Sequence, residues 1–96
     1  MAVKILIKRK MPKGIGDSNF NKLIRQLRTL AVVQPGYITG ETLKRTDSAQ
    51  DYLVISTWQN KEAWEAWRTN RERAEIQKQI DALLGTPTEY EMYEYL

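Results

Sequence analysis

The chain has 96 residues, a formal net charge of +3 and neither cysteine nor histidine. A length of 96 residues fits one domain over positions 1–96, with no room for a second catalytic or regulatory module. Without Cys or His, disulfides, thiol nucleophiles, Cys/His zinc sites, Ser-His-Asp triads and the usual histidine ligand of haem are excluded. Carboxylates, Lys, Arg, Tyr, Trp and amides remain for any chemistry, and no metal site or cofactor is expected.

The opening stretch MAVKILIKRK holds an apolar run too short for a secretory signal, and nothing approaches the ~20 apolar residues of a membrane span. A cytoplasmic protein with no membrane contact is the expectation. Lys4, Lys8, Arg9, Lys10, Lys13, Lys22, Arg25 and Arg28 face only Asp17 near the start, whereas Glu89, Glu91 and Glu94 crowd the tail. Solvated faces and head-to-tail attraction between two copies account for this, and an anion-binding site is the second reading. Nucleic acid is not expected as a partner, because a dense basic patch or recognition motif is missing.

Val3, Ile5 and Ile7 alternate with Lys4 and Lys8, the period-two pattern of a strand with one buried face. Leu6 interrupts the polar side, so part of the second face is covered too. Pro12, Gly14 and Gly16 mark a loop, and Asp17 or Ser18 caps the following helix. Phe20, Leu23, Ile24, Leu27, Leu30 and Ala31 recur at helical spacing there, with Lys22, Arg25 and Arg28 on the wet side. After Pro35-Gly36, residues 37–45 read as a strand, 46–50 as a turn built on Asp47 and Ser48, and 52–58 as the antiparallel partner. Gly40 marks a bulge or a close backbone approach. Asn60 caps a short helix bearing Trp64 and Trp67, and a second helical stretch carries Ile76, Ile80, Leu83 and Leu84 before Gly85 and Pro87 end it. Residues 88–96 alternate Tyr90 and Met92 with Glu89 and Glu91 as a last strand, whose tyrosines suit a dimer seam.

The order β-α-β-β-α-β is that of an α+β, ferredoxin-like protomer, an antiparallel sheet with its helices on one face. The other face needs cover. Tyr37, Tyr52, Val54, Trp58 and Tyr90 on the strands point to a second sheet from another copy as the lid, and a core this thin favours a homodimer.

The hairpin from Gly36-Tyr37 through Glu41 to Trp58, followed by Asn60, Glu62, Trp64 and Trp67 at their particular spacing, resembles the antibiotic biosynthesis monooxygenase family. That resemblance implies a dimeric α+β barrel with a pocket between sheet and helices in each protomer. Some members oxidise polyketide-derived phenols or quinols with O2 and no cofactor; others bind and degrade haem. The haem-degrading branch carries an Asn on the first strand, a Trp at the position of Trp67 and a His ten residues later. Here Trp67 is present, the His position reads Gln77, and the Asn position reads Lys8 or Arg9. Haem degradation is therefore not expected. The expected function is cofactor-independent monooxygenation of a small aromatic or quinol, with a non-catalytic dimeric ligand-binding module as the alternative.

Such chemistry needs an electron-rich anion, a pocket that excludes water and donors that stabilise the anion. Lys8 or Arg9 holds the oxyanion, and only one of them can, because neighbours on a strand face opposite ways. Tyr37 or Tyr52 relays a proton. Lys8 and Tyr52 are the catalytic candidates, and Trp67, Arg9, Tyr37 and Gln77 the binding ones. Trp67 stacks on a ring or fills core, Gln77 is a pocket amide or a solvated helix residue, and Trp58 and Trp64 are structural.

Overall fold

In the computed structural model, which describes residues 1–14 and 18–96, the alternation of the first segment sets the whole sheet. Val3, Ile5, Ile7 and Arg9 are the buried positions of β1 (Val3–Lys10). The chain continues through α1 (Ser18–Ala31), β2 (Tyr37–Lys44), β3 (Asp51–Trp58), α2 (Lys61–Arg68), α3 (Arg71–Leu84) and β4 (Glu89–Glu94). All strand pairs are antiparallel and the order is β2-β3-β1-β4. This is the ferredoxin-like α+β arrangement expected from the sequence.

Capping residues divide the helices. Asn60 Oδ1 accepts a hydrogen bond from the Ala63 amide at 2.8 Å, and Asn70 Oδ1 accepts one from the Arg73 amide at 3.0 Å. The second cap starts α3 two residues after α2 ends. Gly85, at φ 72°, closes α3 in the left-handed conformation that only glycine adopts without strain. Ser18 is the first residue of α1, and the capping role considered for Asp17 lies outside the described residues, as does Gly16. α1 packs on α3, while α2 joins α3 and β3. Ile5, Phe20, Trp58, Ile80 and Leu84 form the inaccessible centre. Among the described residues no helix is long and apolar enough to cross a membrane.

The strand aromatics lie elsewhere than expected. Tyr52, Val54 and Trp58 pair with Arg9, Ile7 and Val3, Tyr90 pairs with Ile7, and Tyr37 pairs with Trp58. Directly paired residues share a face, so all five sit under the helices rather than on the open side. The open side instead carries Leu6, Leu53 and Ile55 among Lys4, Lys8, Glu89 and Glu91, with Leu43 44% exposed.

Two glycines admit close neighbours. The β2–β3 register shifts between Tyr37 and Thr39, and a Cβ on Gly40 would lie 2.8 Å from the Tyr37 hydroxyl. A side chain, not backbone, makes the approach there. Gly36 combines φ +85° with a Cβ position 2.5 Å from Ala63 Cβ, whereas Gly85 has open space around it. Gly36→Ala should therefore cost about 3 kcal/mol in chemical denaturation and Gly85→Ala only about 1 kcal/mol. Equal losses would mean that α2 shifts freely away from β2.

Candidate functional site

Because Val3, Ile5 and Ile7 turn inward, Arg9 must follow them. Its side chain is 5% exposed and lines a cavity between sheet and helices, with Trp58, Trp67, Tyr37, Leu27 and Arg73 among its other walls. Trp67 stacks on Trp58 with ring centres 6.4 Å apart and planes 24° apart, and Tyr37 meets Trp58 edge-on at 5.4 Å. The Trp58 indole donates to Ser56 Oγ at 3.1 Å, which fixes the ring. The volume open to the centre of a water molecule is about 60 Å3. A cavity that takes benzene measures roughly 150 Å3. A ring therefore enters only partway, with the rest in the mouth, where Arg28 and Glu41 stand.

Arg9 is held from behind by a polar line. Its Nη2 donates to Gln77 Oε1 at 2.8 Å, and Gln77 Nε2 donates to Thr88 Oγ1 at 2.7 Å and to Asp81 Oδ1 at 2.8 Å. The Thr88 hydroxyl donates to the same Asp81 oxygen at 2.9 Å. Arginine only donates and an ionised carboxylate only accepts, so the Gln77 amide has one allowed orientation between them. Arg9 Nε is buried without a hydrogen-bond partner. Burial lowers the Arg9 pKa to about 10; the like charge of Arg73 pushes the same way, and Tyr90 and Asp81 act against it. A cation whose pKa is depressed to about 10 weighs against folding at every pH below that value. That penalty fades as pH rises toward the unfolded value.

Arg73 is the second buried guanidinium, 4% exposed. Its Nη2 donates to the Tyr90 hydroxyl at 2.9 Å, and its central carbon lies 5.5 Å from the ring centre of Trp64, 5.9 Å from Trp67 and 5.3 Å from Tyr90. Cation–π attraction replaces part of its lost hydration. Neither Arg9 nor Arg73 meets a carboxylate among the described residues.

The structure thus gathers Arg9, Tyr37 and Trp67 at one cavity, with Gln77 behind Arg9 rather than solvated. Lys8 lies on the opposite face of the sheet, 3.1 Å from Glu91 and 46% exposed, with its pKa raised by the hydrogen bond to Glu91. Strand alternation keeps it from the cavity. Tyr52 pairs with Arg9 but packs on Phe20 at 4.9 Å, and together with Lys8, Arg9, Lys10 and Arg45 it lines a second, open depression, so the two catalytic candidates meet there and only Arg9 belongs to both. Arg73 and Arg28 escaped the sequence reading. Arg73 precedes Gln77, Ile80 and Leu84 by 4, 7 and 11 positions, so a charge on the buried stripe of α3 was the available signal.

The sequence model of the antibiotic biosynthesis monooxygenase family matches residues 6–79. The chain belongs to this family. SnoaB from Streptomyces nogalater, a cofactor-independent oxygenase, superposes with a TM-score of 0.86 at 15% identity, over 99% of this chain and 93% of that one. A protein from Methanosarcina mazei Go1 gives 0.91 at 14% identity, over 100% and 94%. Rv0793 from Mycobacterium tuberculosis gives 0.86 at 16%, over 100% and 96%. At such identities the likeness shows the fold. None of the curated proteins matches the sequence.

Gln77→Leu would strand Arg9 Nη2 and free Asp81 and Thr88 from their shared partner. A buried hydrogen bond to a charged group contributes about 1.5–3 kcal/mol, so denaturation should show a loss on the order of 3 kcal/mol. A change below 1 kcal/mol would mean that water replaces the amide.

Proposed function

We propose that this chain is a cofactor-independent monooxygenase acting on a small aromatic or quinol substrate. One observation carries the reading: Arg9, a desolvated guanidinium whose Nε has no hydrogen-bond partner, lines an aromatic-walled cavity. Such a group stabilises a phenolate without having to reorganise, because folding has already stripped its water. The Trp58–Trp67 stack offers a flat wall for the ring entering through the mouth, and the inner space has room for O2. Tyr37 can relay the phenol proton toward Glu41, which also lines the cavity.

For a phenol with a hydrogen on its para carbon, the phenolate passes one electron to O2. The resulting radical pair joins at that carbon as a hydroperoxide. Loss of water leaves a quinone, so one oxygen atom enters the ring and the other departs as water. The ring gives up four electrons and O2 accepts four. The positive charge of Arg9 stabilises the developing quinone oxygen, Trp67 orients the ring, and the apolar walls of Ile7, Leu27 and Val54 keep bulk water out.

With 1-naphthol in an oxygen electrode, we expect one O2 consumed per 1,4-naphthoquinone formed, unaffected by chelators and without released peroxide. Arg9→Gln should lower kcat/KM by about 100-fold. A folded, naphthol-bound protein that consumes no oxygen would leave the non-catalytic ligand-binding module as the function.

The proposal extends to a homodimer. Leu6, Leu53, Ile55 and Leu43 line the sheet face without helices, and apolar side chains there favour a second copy laid face to face. Sedimentation at micromolar concentration should give twice the 11.2 kDa chain mass, and Ile55→Glu should halve it. A wild-type species of 11.2 kDa would rule the pairing out.

A further inference from the structure

We propose that the cavity selects ligands bearing a carboxylate, so that the substrates of this site are hydroxyaryl acids whose carboxylate rests on the Arg9 guanidinium. The inference rests on the oxygenase reading for its reaction and names the substrate class of that same pocket; for binding it stands on charge and shape alone.

Charge comes first. Arg9, Arg28 and Arg73 line the cavity against the single carboxylate of Glu41. Two of these cations are buried, and among the described residues neither is paired with an acid. Asp81, the acid nearest in the network, is occupied by Gln77 and Thr88 and reaches Arg9 only through the Gln77 amide. Arg73 stands in the first turn of α3, where the helix dipole is positive and adds to its charge rather than offsetting it. Among the described residues, two buried cations thus stand without an ion pair.

Shape selects among anions. A guanidinium presents donors in one plane that match the two oxygens of a carboxylate, whereas a phenolate offers a single oxygen. Arg9 donates from Nη2 to Gln77, and its Nε is buried without a partner. The state of charge points the same way. An aryl carboxylate is ionised at neutral pH, while a phenol near pKa 10 must first give up its proton. The carboxylate therefore brings its charge into the cavity before any chemistry, and anchors the ring for the later ionisation. The small inner volume agrees with this division: it suits a carboxylate head and O2, with the ring at the mouth against Trp67.

Calorimetry under nitrogen at pH 7 with 2-hydroxybenzoate, 2-hydroxybenzamide and phenol tests the preference without turnover. The acid should bind at least 30-fold more tightly than either neutral ligand. Arg9→Gln should remove most of that difference, while Lys61→Gln, on the exposed side of α2, should leave it intact. Should Arg9→Gln fail to fold, the three wild-type affinities decide alone. Acid and amide binding equally, or no binding of the acid, would overturn the proposal. A protein that prefers the acid but never consumes O2 keeps the carboxylate site and loses the oxygenase reading. Oxidation of 1-naphthol without any preference for the acid would do the reverse.

Discussion

The rest of this structure is arranged around the burial of a guanidinium on the inner face of β1. Position 9 continues the inward series of Val3, Ile5 and Ile7, where another aliphatic residue would pack without penalty. Holding Arg9 charged with its pKa pushed down to about 10 weighs against folding by an amount on the order of 3 kcal/mol. Whole domains are stable by only about 5–15 kcal/mol. Replacing buried ionic groups by apolar ones of similar volume is often neutral or stabilising. A residue that is expensive for folding and replaceable by packing is the natural candidate for the proposed function.

That cost explains features that look unrelated in the sequence. Gln77 is a polar residue on the buried stripe of α3 because Arg9 needs an acceptor there. Asp81, one turn on, and Thr88, just before β4, serve the amide in turn. The hydrogen bonds that the Thr88 amide and hydroxyl donate to Asp81 also bring the chain back to the sheet after Gly85. On the other side, Trp58 gathers Tyr37, Trp64 and Trp67 from β2 and α2 around one ring. The tryptophan spacing that marks the family is thus architecture first, and Trp67 serves both core and cavity.

Periodicity made the elements legible, since each buries one face and the alternation differs for strand and helix. The same parity bears on the choice left open between Lys8 and Arg9: Val3, Ile5 and Ile7 put Arg9 inside and leave Lys8, the catalytic candidate, outside. Parity between strands was not legible. Which residues of β2, β3 and β4 share the face of Ile7 depends on register, and register depends on a bulge after Tyr37 and on a turn whose length had to be seen. The strand aromatics were therefore assigned to a partner's side when they lie beneath this chain's own helices. Arg73 was missed for a different reason: an arginine in a charged helix reads as solvated until the aromatic cage around it is visible.

The family fold supplies the walls, but fold leaves the chemistry open; in this chain the proposed chemistry rests on residues 9, 73 and 77. A fixed positive field is well matched to the proposed reaction in a way that a mobile proton donor would not be. When a phenolate passes an electron to O2, the negative charge moves from substrate to oxygen while the pair as a whole keeps the same charge. A cation near both species stabilises the state before the transfer and the state after it. Neither Arg9 nor Arg73 needs to move or exchange a proton, because Gln77 holds one and three aromatic faces hold the other. The work of organising the field is completed during folding, and the polar line through Gln77 and Asp81 is where that work resides.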